Sequence, residues 1–551
     1  MKIALHHGYE LTGSGSNEYT RYLAQALAAL GHEVAIMCCE PKPEAFEFIA
    51  RASAYDAQGQ RTELFDNGPG AISLHRLPRT SVYPVYLTDK QRDGVVKAFV
   101  DMTDDELAEY HQAMAAALHA ALDHERPDIV HCNHLVYQPI VAAEVCARLS
   151  LPFYVVPHGS SIEYTIHRDE RFVRLARRGL VAASGVAWIA REVRERVHKL
   201  ASTTLAGAEQ ESEAAEPVDL SADLLRKEQL IGVGTDTSLF QVIAPEQRAE
   251  ALAELARLHR PGGKTPEQRQ ALCDAVQSGD MSAVQAYWDA YNHKLEDTDL
   301  PQLTEVLTEA REIVFFVGAL TFGKGVQSLL CAMPALLQKR PDAHLVIVGS
   351  GTYREVLEAL LFSLTTHNLE LFDRLVTAGR DLERDVASGP LEDLHHYAAD
   401  PDNRALLQAH GPALAGRVHF VGRLDHRRLR HLFPCATVAA FPSIIKEASP
   451  LVFAEALACG VLPTGAYHSG LRDGLDDLQQ RIDPALWPHM CLPAEPERRV
   501  QGIVDSLSTL LDMLAQKPRA AELRVIAEQH YDWSAKAKLL AAFAQRIVSA
   551  C

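Results

Sequence analysis

The sequence contains no apolar run long enough to span a bilayer, no Cys-x-x-Cys pair and no cysteine with histidine partners at zinc-like intervals. The first absence argues against a membrane-spanning helix. The second leaves the ten cysteines, including the adjacent Cys38 and Cys39 at the end of a strand pattern, as reduced thiols rather than disulfides or metal ligands. Positive charge is also in deficit: the formal net charge of −18 argues against a general nucleic-acid or membrane-surface binder, although it leaves room for a local basic patch. Met1-Lys-Ile-Ala-Leu runs straight into a strand pattern with no signal peptide, so the expectation is a soluble, cytoplasmic chain.

What the chain does have is length and alternation. At 551 residues, 47% apolar and 23% charged, it is too long for one core, and two large domains are expected. Strand and helix patterns alternate in the order a doubly wound parallel sheet requires. Lys2 to His6 reads as a buried strand, followed by a loop from Gly8 to Ser16, a helix from about Asn17 to Leu30 that stops at Gly31, and a second strand from Glu33 to Cys38. The loop carries Gly13-Ser-Gly-Ser16 at the end of the strand, where open α/β sheets bind ligands, but no third glycine completes a dinucleotide fingerprint.

Between Glu40 and about Thr103 the pattern weakens; only Ile72 to Leu77 reads as a strand, with an extended loop over 78–89. A helix over 104–124 and short strands before His131 to His134 and His158 follow. Arg168, Arg171, Arg174, Arg177 and Arg178 recur at helical spacing. They offer either a basic face for an anionic or membrane-associated acceptor, or a solvated face of ion pairs. The stretch 206–222 is acidic and rich in small residues, as expected of a surface excursion.

The most informative stretch is Phe441-Pro-Ser-Ile-Ile-Lys-Glu-Ala-Ser-Pro-Leu-Val-Phe-Ala-Glu-Ala-Leu-Ala-Cys-Gly460. A buried strand ends at Pro442-Ser443, Ser449 suits an N-cap, Pro450 the first helical position, and Gly460 the stop. Glu447 therefore lies in the loop before a helix and Glu455 inside it. The free N–H groups at Leu451 and Val452 suit an anion such as a diphosphate, and the two carboxylates suit hydroxyls on either side of it. The alternative is a helix with one solvated Glu at its start and another on its polar face.

Strand, Pro-Ser, Glu447, seven residues, Glu455 and Ala-Cys-Gly460 together resemble the E-x7-E signature of retaining glycosyltransferases of family 4, which have the GT-B fold. Further landmarks occur in order: His158 before Gly159, the Gly-Val-Gly-Thr-Asp236 turn with Phe240, Gly318-Ala-Leu-Thr-Phe-Gly-Lys-Gly325, the glycine turn after His344 to Val348, Gly422-Arg423, and Tyr531-Asp-Trp-Ser near the end. The resemblance implies an α/β GT-B architecture of two Rossmann-like doubly wound parallel-sheet domains facing a cleft. The expected division is an acceptor domain at 1–238, a helical insertion or hinge at 239–310, a nucleotide-sugar donor domain at 311–525 with an insertion at about 362–414, and a C-terminal crossover helix at 526–551.

It further implies a hexosyltransferase that needs no cofactor or metal and moves a sugar from a UDP-, GDP- or ADP-sugar to an unidentified acceptor hydroxyl, with no nucleic-acid partner. His158, Lys324 and Glu447 would be its catalytic residues. Gly13, Gly15, Gly318, Gly323, Arg423, Ser449, Leu451, Val452 and Glu455 would bind the donor. A lysine at a helix N-terminus opposes the helix dipole, so Lys324 makes most sense with an anion between them. His158, titrating near neutrality, would donate a hydrogen bond to a sugar hydroxyl or to developing charge.

One position departs from the family. Ala319 stands where a second cation, Arg or Lys, is expected, and losing such a charge ordinarily weakens catalysis by several kcal/mol. Arg423 or another cation replaces it, or the leaving group carries less charge, or the protein is a weak or inactive transferase. A sugar-1-phosphate phosphorylase or synthase on the same fold, and a nucleotide-sugar-binding scaffold, are the alternative functions.

Overall fold

The computed structural model describes residues 1–86, 95–202, 220–383, 389–449 and 451–550. Pro450, the end of the 78–89 loop, and the 206–222 excursion up to residue 219 lie outside the described residues. The chain divides into two compact units, residues 1–234 with 531–551, and residues 235–530.

The first unit is built on a nine-stranded sheet. Its strands are β1 (Lys2–His6), β2 (Glu33–Cys38), β3 (Arg51–Tyr55), β4 (Arg61–Asp66) and β5 (Ile72–Arg76), then β8 (Ile129–Asn133), β9 (Phe153–Val156), β10 (Gly185–Trp188) and β11 (Glu228–Leu230), while β6 (Val82–Val85) and β7 (Val95–Ala98) pair separately. The order is β11-β10-β9-β8-β1-β2-β5-β3-β4, parallel throughout except for the β3–β4 hairpin. The central strands are buried on both faces, which is why they read as continuous apolar runs. β4 is the exception: it is mostly exposed and carries Arg61, Glu63 and Asp66, charges that keep an open edge from pairing with another chain.

The first helix runs Gly15–Ala29, two residues earlier than expected, because Ser14 takes the cap position and its Oγ accepts the Asn17 N–H. The last helix, Trp533–Ala550, packs on this unit. Trp533 sits edge-on to Tyr19, and Phe543 and Ile547 lie against Gly185, where any side chain would collide with them.

The second unit holds β12 (Glu312–Val317), β13 (Ala343–Val348), β14 (Val418–Gly422), β15 (Val438–Phe441), β16 (Leu462–Ala466) and β17 (Cys491–Leu492), all parallel, in the order β14-β13-β12-β15-β16-β17. The segment 239–310 joins this unit rather than standing apart. Its helices Arg248–Arg257, Pro266–Gln277 and Leu300–Glu309 are followed or preceded by a short extended piece in which Glu296 bridges Gly422, with the Asp297 N–H donated to the Val421 carbonyl at 2.9 Å. The insertion thus satisfies the outer edge of β14.

Beneath that edge lies a buried ionic cluster. Arg354 donates to both carboxylate oxygens of Asp297 (3.0 and 2.5 Å), and Lys264, fully buried, reaches Glu355 at 2.8 Å and Glu358 at 2.5 Å. Hydrophobic pattern alone gives no hint of such charges, because Lys264 lies in a polar stretch and its partners lie on a helix some ninety positions later.

Candidate functional site

In a doubly wound sheet, ligands bind at the carboxyl ends of the strands where the order reverses. In the second unit the reversal falls between β12 and β15. The loop after β12 holds Gly318 to Gly325, and the loop after β15 holds Pro442 to Ser449, with the helix Leu451–Ala458 beyond. The two loops are stitched together: the Ile444 and Ile445 N–H groups both donate to the Gly323 carbonyl, at 2.7 and 3.1 Å. Gly325 has φ +71° and lies so close to Pro442 that a Cβ would overlap its carbonyl oxygen, so only glycine allows this approach.

The stitching brings the Lys324 ammonium into an ion pair with Glu447 Oε1, which also accepts from Ser443 Oγ at 2.8 Å. The backbone of Glu447 is held as firmly. Its N–H donates to Ser469 Oγ (2.9 Å), its carbonyl accepts the Gly470 N–H, and His468 Nε2 meets the Ser443 carbonyl at 2.7 Å. Burial pushes the Glu447 carboxyl up, but Lys324 and the Ser443 hydroxyl outweigh it and hold the group below the usual carboxylate range. Glu447 is therefore ionised at neutral pH, and the pair carries no net charge.

Glu455, one turn into the following helix, is 3% exposed, and His426 Nε2 lies 3.4 Å from its Oε1. This corrects the alternative of a Glu on a solvated helix face. Ser449, Leu451 and Val452 lie half-buried where the loop passes into that helix, and Gly318 donates its N–H to the Val348 carbonyl. Arg423 directly follows β14, with β13 between that strand and β12, and its guanidinium makes no hydrogen bond or ion pair with a described residue.

The first unit reverses between β1 and β8. Here the polar residues centre on Asn133. Its Oδ1 accepts from His131 Nε2 (3.0 Å) and His158 Nε2 (2.9 Å), and its Nδ2 donates to Thr20 Oγ1 (2.9 Å) and His7 Nδ1 (3.2 Å). Those roles fix the protons: His131 and His158 carry hydrogen on Nε2, and His7 donates from Nε2 to Asn17 Oδ1 at 2.9 Å. Asn17 in turn ties down the glycine loop by donating to the Thr12 carbonyl at 2.5 Å, while Gly13, with φ +103°, and Gly15 form the turn into the first helix.

His158 was expected to titrate near neutrality and to donate to a ligand. Burial, reinforced by His7 and His131, drives its pKa well below the ordinary histidine value, and its Nε2–H is already given to Asn133. What it offers a ligand is the acceptor nitrogen Nδ1. Asn133, Asn17 and His7 were not singled out by sequence; Asn133 had a signal, since it follows a strand at the edge where ligands bind.

This neutral cluster makes stability depend on pH. Burial, as the leading cause, lowers His7 and His131 to about 4, against about 6.5 in an unfolded chain. Between those values the unfolded state binds more protons, so stability falls as pH falls below about 6.5, by roughly 1 kcal/mol per histidine at pH 5.5. Thermal melts at pH 7.5 and 5.5 should show a lower melting temperature at the acid value, and replacing His131 with glutamine should reduce that difference.

Three of the five arginines on and before the helix Glu170–Ala182 are engaged by neighbouring groups. Arg171 bonds Asp169 and Asp104, Arg174 pairs with Glu170, and Arg177 donates to the Leu200 and Ala201 carbonyls.

Two doubly wound parallel sheets, each gathering polar loops at its point of reversal, define the GT-B class of α/β proteins. Residues 14–203 match the family described as glycosyl transferase 4-like domain, and residues 304–373 match that described as glycosyl transferases group 1. An uncharacterized glycosyltransferase of Methanocaldococcus jannaschii is 43% identical over 61 residues, which is 11% of this chain and 15% of that protein's length. Among solved structures, sucrose-phosphate synthase from Thermosynechococcus elongatus aligns over 100% of both chains with a TM-score of 0.54 at 17% identity. Anabaena HepE in complex with UDP and glucose aligns over 99% of this chain and 100% of its own, with a TM-score of 0.52 at 13% identity. Trehalose 6-phosphate synthase from Burkholderia multivorans covers 100% of this chain and 97% of its own, with a TM-score of 0.52 at 13% identity. At these identities the likeness shows the fold. Among the described residues no helix is long and apolar enough to cross a membrane.

Proposed function

We propose that the protein transfers a sugar, with retention of configuration and without a metal, from a nucleoside-diphosphate sugar to an acceptor hydroxyl. The observation that carries this reading is the Lys324–Glu447 pair, held at the sheet reversal of the second unit by glycines that let the two loops pack closely. A diphosphate competes with Glu447 for the Lys324 ammonium, and the N–H groups at Leu451 and Val452 add partial positive charge for the leaving group. Glu447, released, accepts hydrogen bonds from sugar hydroxyls, and Glu455 accepts from the ribose diol. Both are positioning groups. The departing phosphate itself takes the proton from the acceptor, so neither carboxylate need be a nucleophile. In the first unit, the Nδ1 acceptor of His158 orients a sugar hydroxyl. The UDP bound by HepE makes UDP-sugars the first donors to test.

The test is a panel of UDP-, GDP- and ADP-sugars, scored by thermal shift and slow hydrolysis, on the wild type and Glu455→Gln. One donor is expected to raise the melting temperature and be hydrolysed, with affinity lowered about tenfold or more in Glu455→Gln, the scale of a lost charge-assisted hydrogen bond. If no nucleotide sugar shifts the melting temperature, the reading fails. A phosphorylase, which Ala319 favours by leaving less positive charge at the site, would instead release sugar 1-phosphate only when inorganic phosphate is added.

A further inference from the structure

We propose that Arg380, carried by the helical insertion at 362–414, supplies the second cation that binds the donor diphosphate; this rests on the nucleotide-sugar reading of the second unit. The insertion is fastened to the loops of that site. Its helix Leu369–Ala378 passes through a turn at Gly379–Leu382 to Glu383, a residue 5% exposed. Glu383 Oε1 accepts the Phe322 N–H at 3.2 Å, two residues before Lys324, and the Thr352 hydroxyl at 2.9 Å, just beyond the glycine turn that ends β13. Tyr353 fastens the same turn from the other side, donating its hydroxyl to the Gly379 carbonyl at 3.1 Å while its ring meets Phe322 edge-on.

This fastening puts the Arg380 guanidinium over the Phe322 ring, with Cζ 4.6 Å from the ring centroid. Among the described residues it has no hydrogen bond and no ion pair, and its Nε is shut off from solvent without a partner. A guanidinium carries five N–H donors in a planar fork, and a ring face satisfies its charge only in part. Such a group, left without an acceptor on the wall of a loop, is matched to an oxyanion.

The site has need of it. Lys324 is neutralised by Glu447, and position 319 is alanine, so the loop after β12 brings no net positive charge to a diphosphate. The Arg423 guanidinium is also without a partner among the described residues, but it follows β14, two strands from β12 or about 10 Å along the sheet. Arg380 lies against Phe322, two residues before Lys324 on the same turn.

Inorganic pyrophosphate is the probe, titrated into the full chain by calorimetry for the wild type, Arg380→Gln, Arg380→Lys and Lys324→Ala. Arg380→Gln is expected to weaken pyrophosphate binding about tenfold to a hundredfold, the scale of a lost charge-assisted contact, with the melting temperature of the free protein unchanged. Arg380→Lys, which keeps the charge, is expected to recover part of the loss. Wild-type binding in Arg380→Gln overturns the inference, as does a loss that Arg380→Lys does not relieve or an absence of pyrophosphate binding by the wild type. If Lys324→Ala abolishes binding while Arg380→Gln leaves it intact, the donor reading stands and the assignment of Arg380 alone falls.

Discussion

Lys324→Ala is expected to lower nucleotide-sugar turnover by roughly a hundredfold to a thousandfold, the range seen when a preorganised group facing developing charge is removed. The variant loses the ammonium placed by the turn Phe322–Lys324 at the reversal of the sheet. It also alters its partner. Burial pushes the Glu447 carboxyl up, and Lys324 is the chief influence that holds it down. Without the lysine, Glu447 takes up a proton at higher pH than in the wild type, and on the proposed reading it then ceases to accept from sugar hydroxyls on the acid side. The acid limb of the rate profile should therefore move to higher pH in Lys324→Ala, and Lys324→Arg should retain more activity. Turnover measured from pH 5.5 to 8 checks both. A rate within a few-fold of the wild type, with an unmoved acid limb, would remove Lys324 from the reaction.

The largest effect on stability is expected from Lys264→Met, at about 3–5 kcal/mol, because breaking a buried pair by deleting one partner leaves the other charge uncompensated. Lys264 is fully buried between Glu355 and Glu358, with the Tyr291 ring 5.1 Å from its Nζ. Burial raises both carboxyls. In Glu358 the opposing pull of Lys264 and Arg354 wins and holds the pKa below the ordinary value, whereas in Glu355 burial wins and the pKa is raised. With the lysine gone both move upward, so the folded variant holds protons that the folded wild type has already released. Its stability relative to wild type then falls as pH rises, and the deficit is larger at pH 8 than at pH 5.5. Urea denaturation at the two values measures it. Equal deficits at both would mean that the cost is one of packing and not of charge.

The sequence made the parallel sheets legible because strands buried on both faces are short apolar runs, and Lys2–His6 and Glu33–Cys38 emerged with their observed ends. β3 and β4 escaped notice for the opposite reason. Arg51–Tyr55 is rich in alanine, and Arg61–Asp66 lies on an exposed edge where nothing enforces alternation. Lys324 and Glu447 were each identifiable from their local glycines, serine and proline. Their union across 123 residues was not, since it depends on β12 lying beside β15. His158 was identifiable as a residue but not in its protonation, which Asn133, His7 and His131 decide from three other stretches of chain. Arg380 gave no sign at all: in a charged helical segment, one arginine without a partner looks like any other.

The closing helix bears on how the molecule is made. Trp533, Phe543 and Ile547 fill the first unit against Tyr19, Tyr154 and Gly185, yet they are separated from the rest of it by the whole of residues 235–530. On the ribosome, then, the unit whose synthesis begins first is the last to be completed. Until its final helix emerges, a hydrophobic seam along residues 19, 154 and 185 waits uncovered while the second unit is translated and folds.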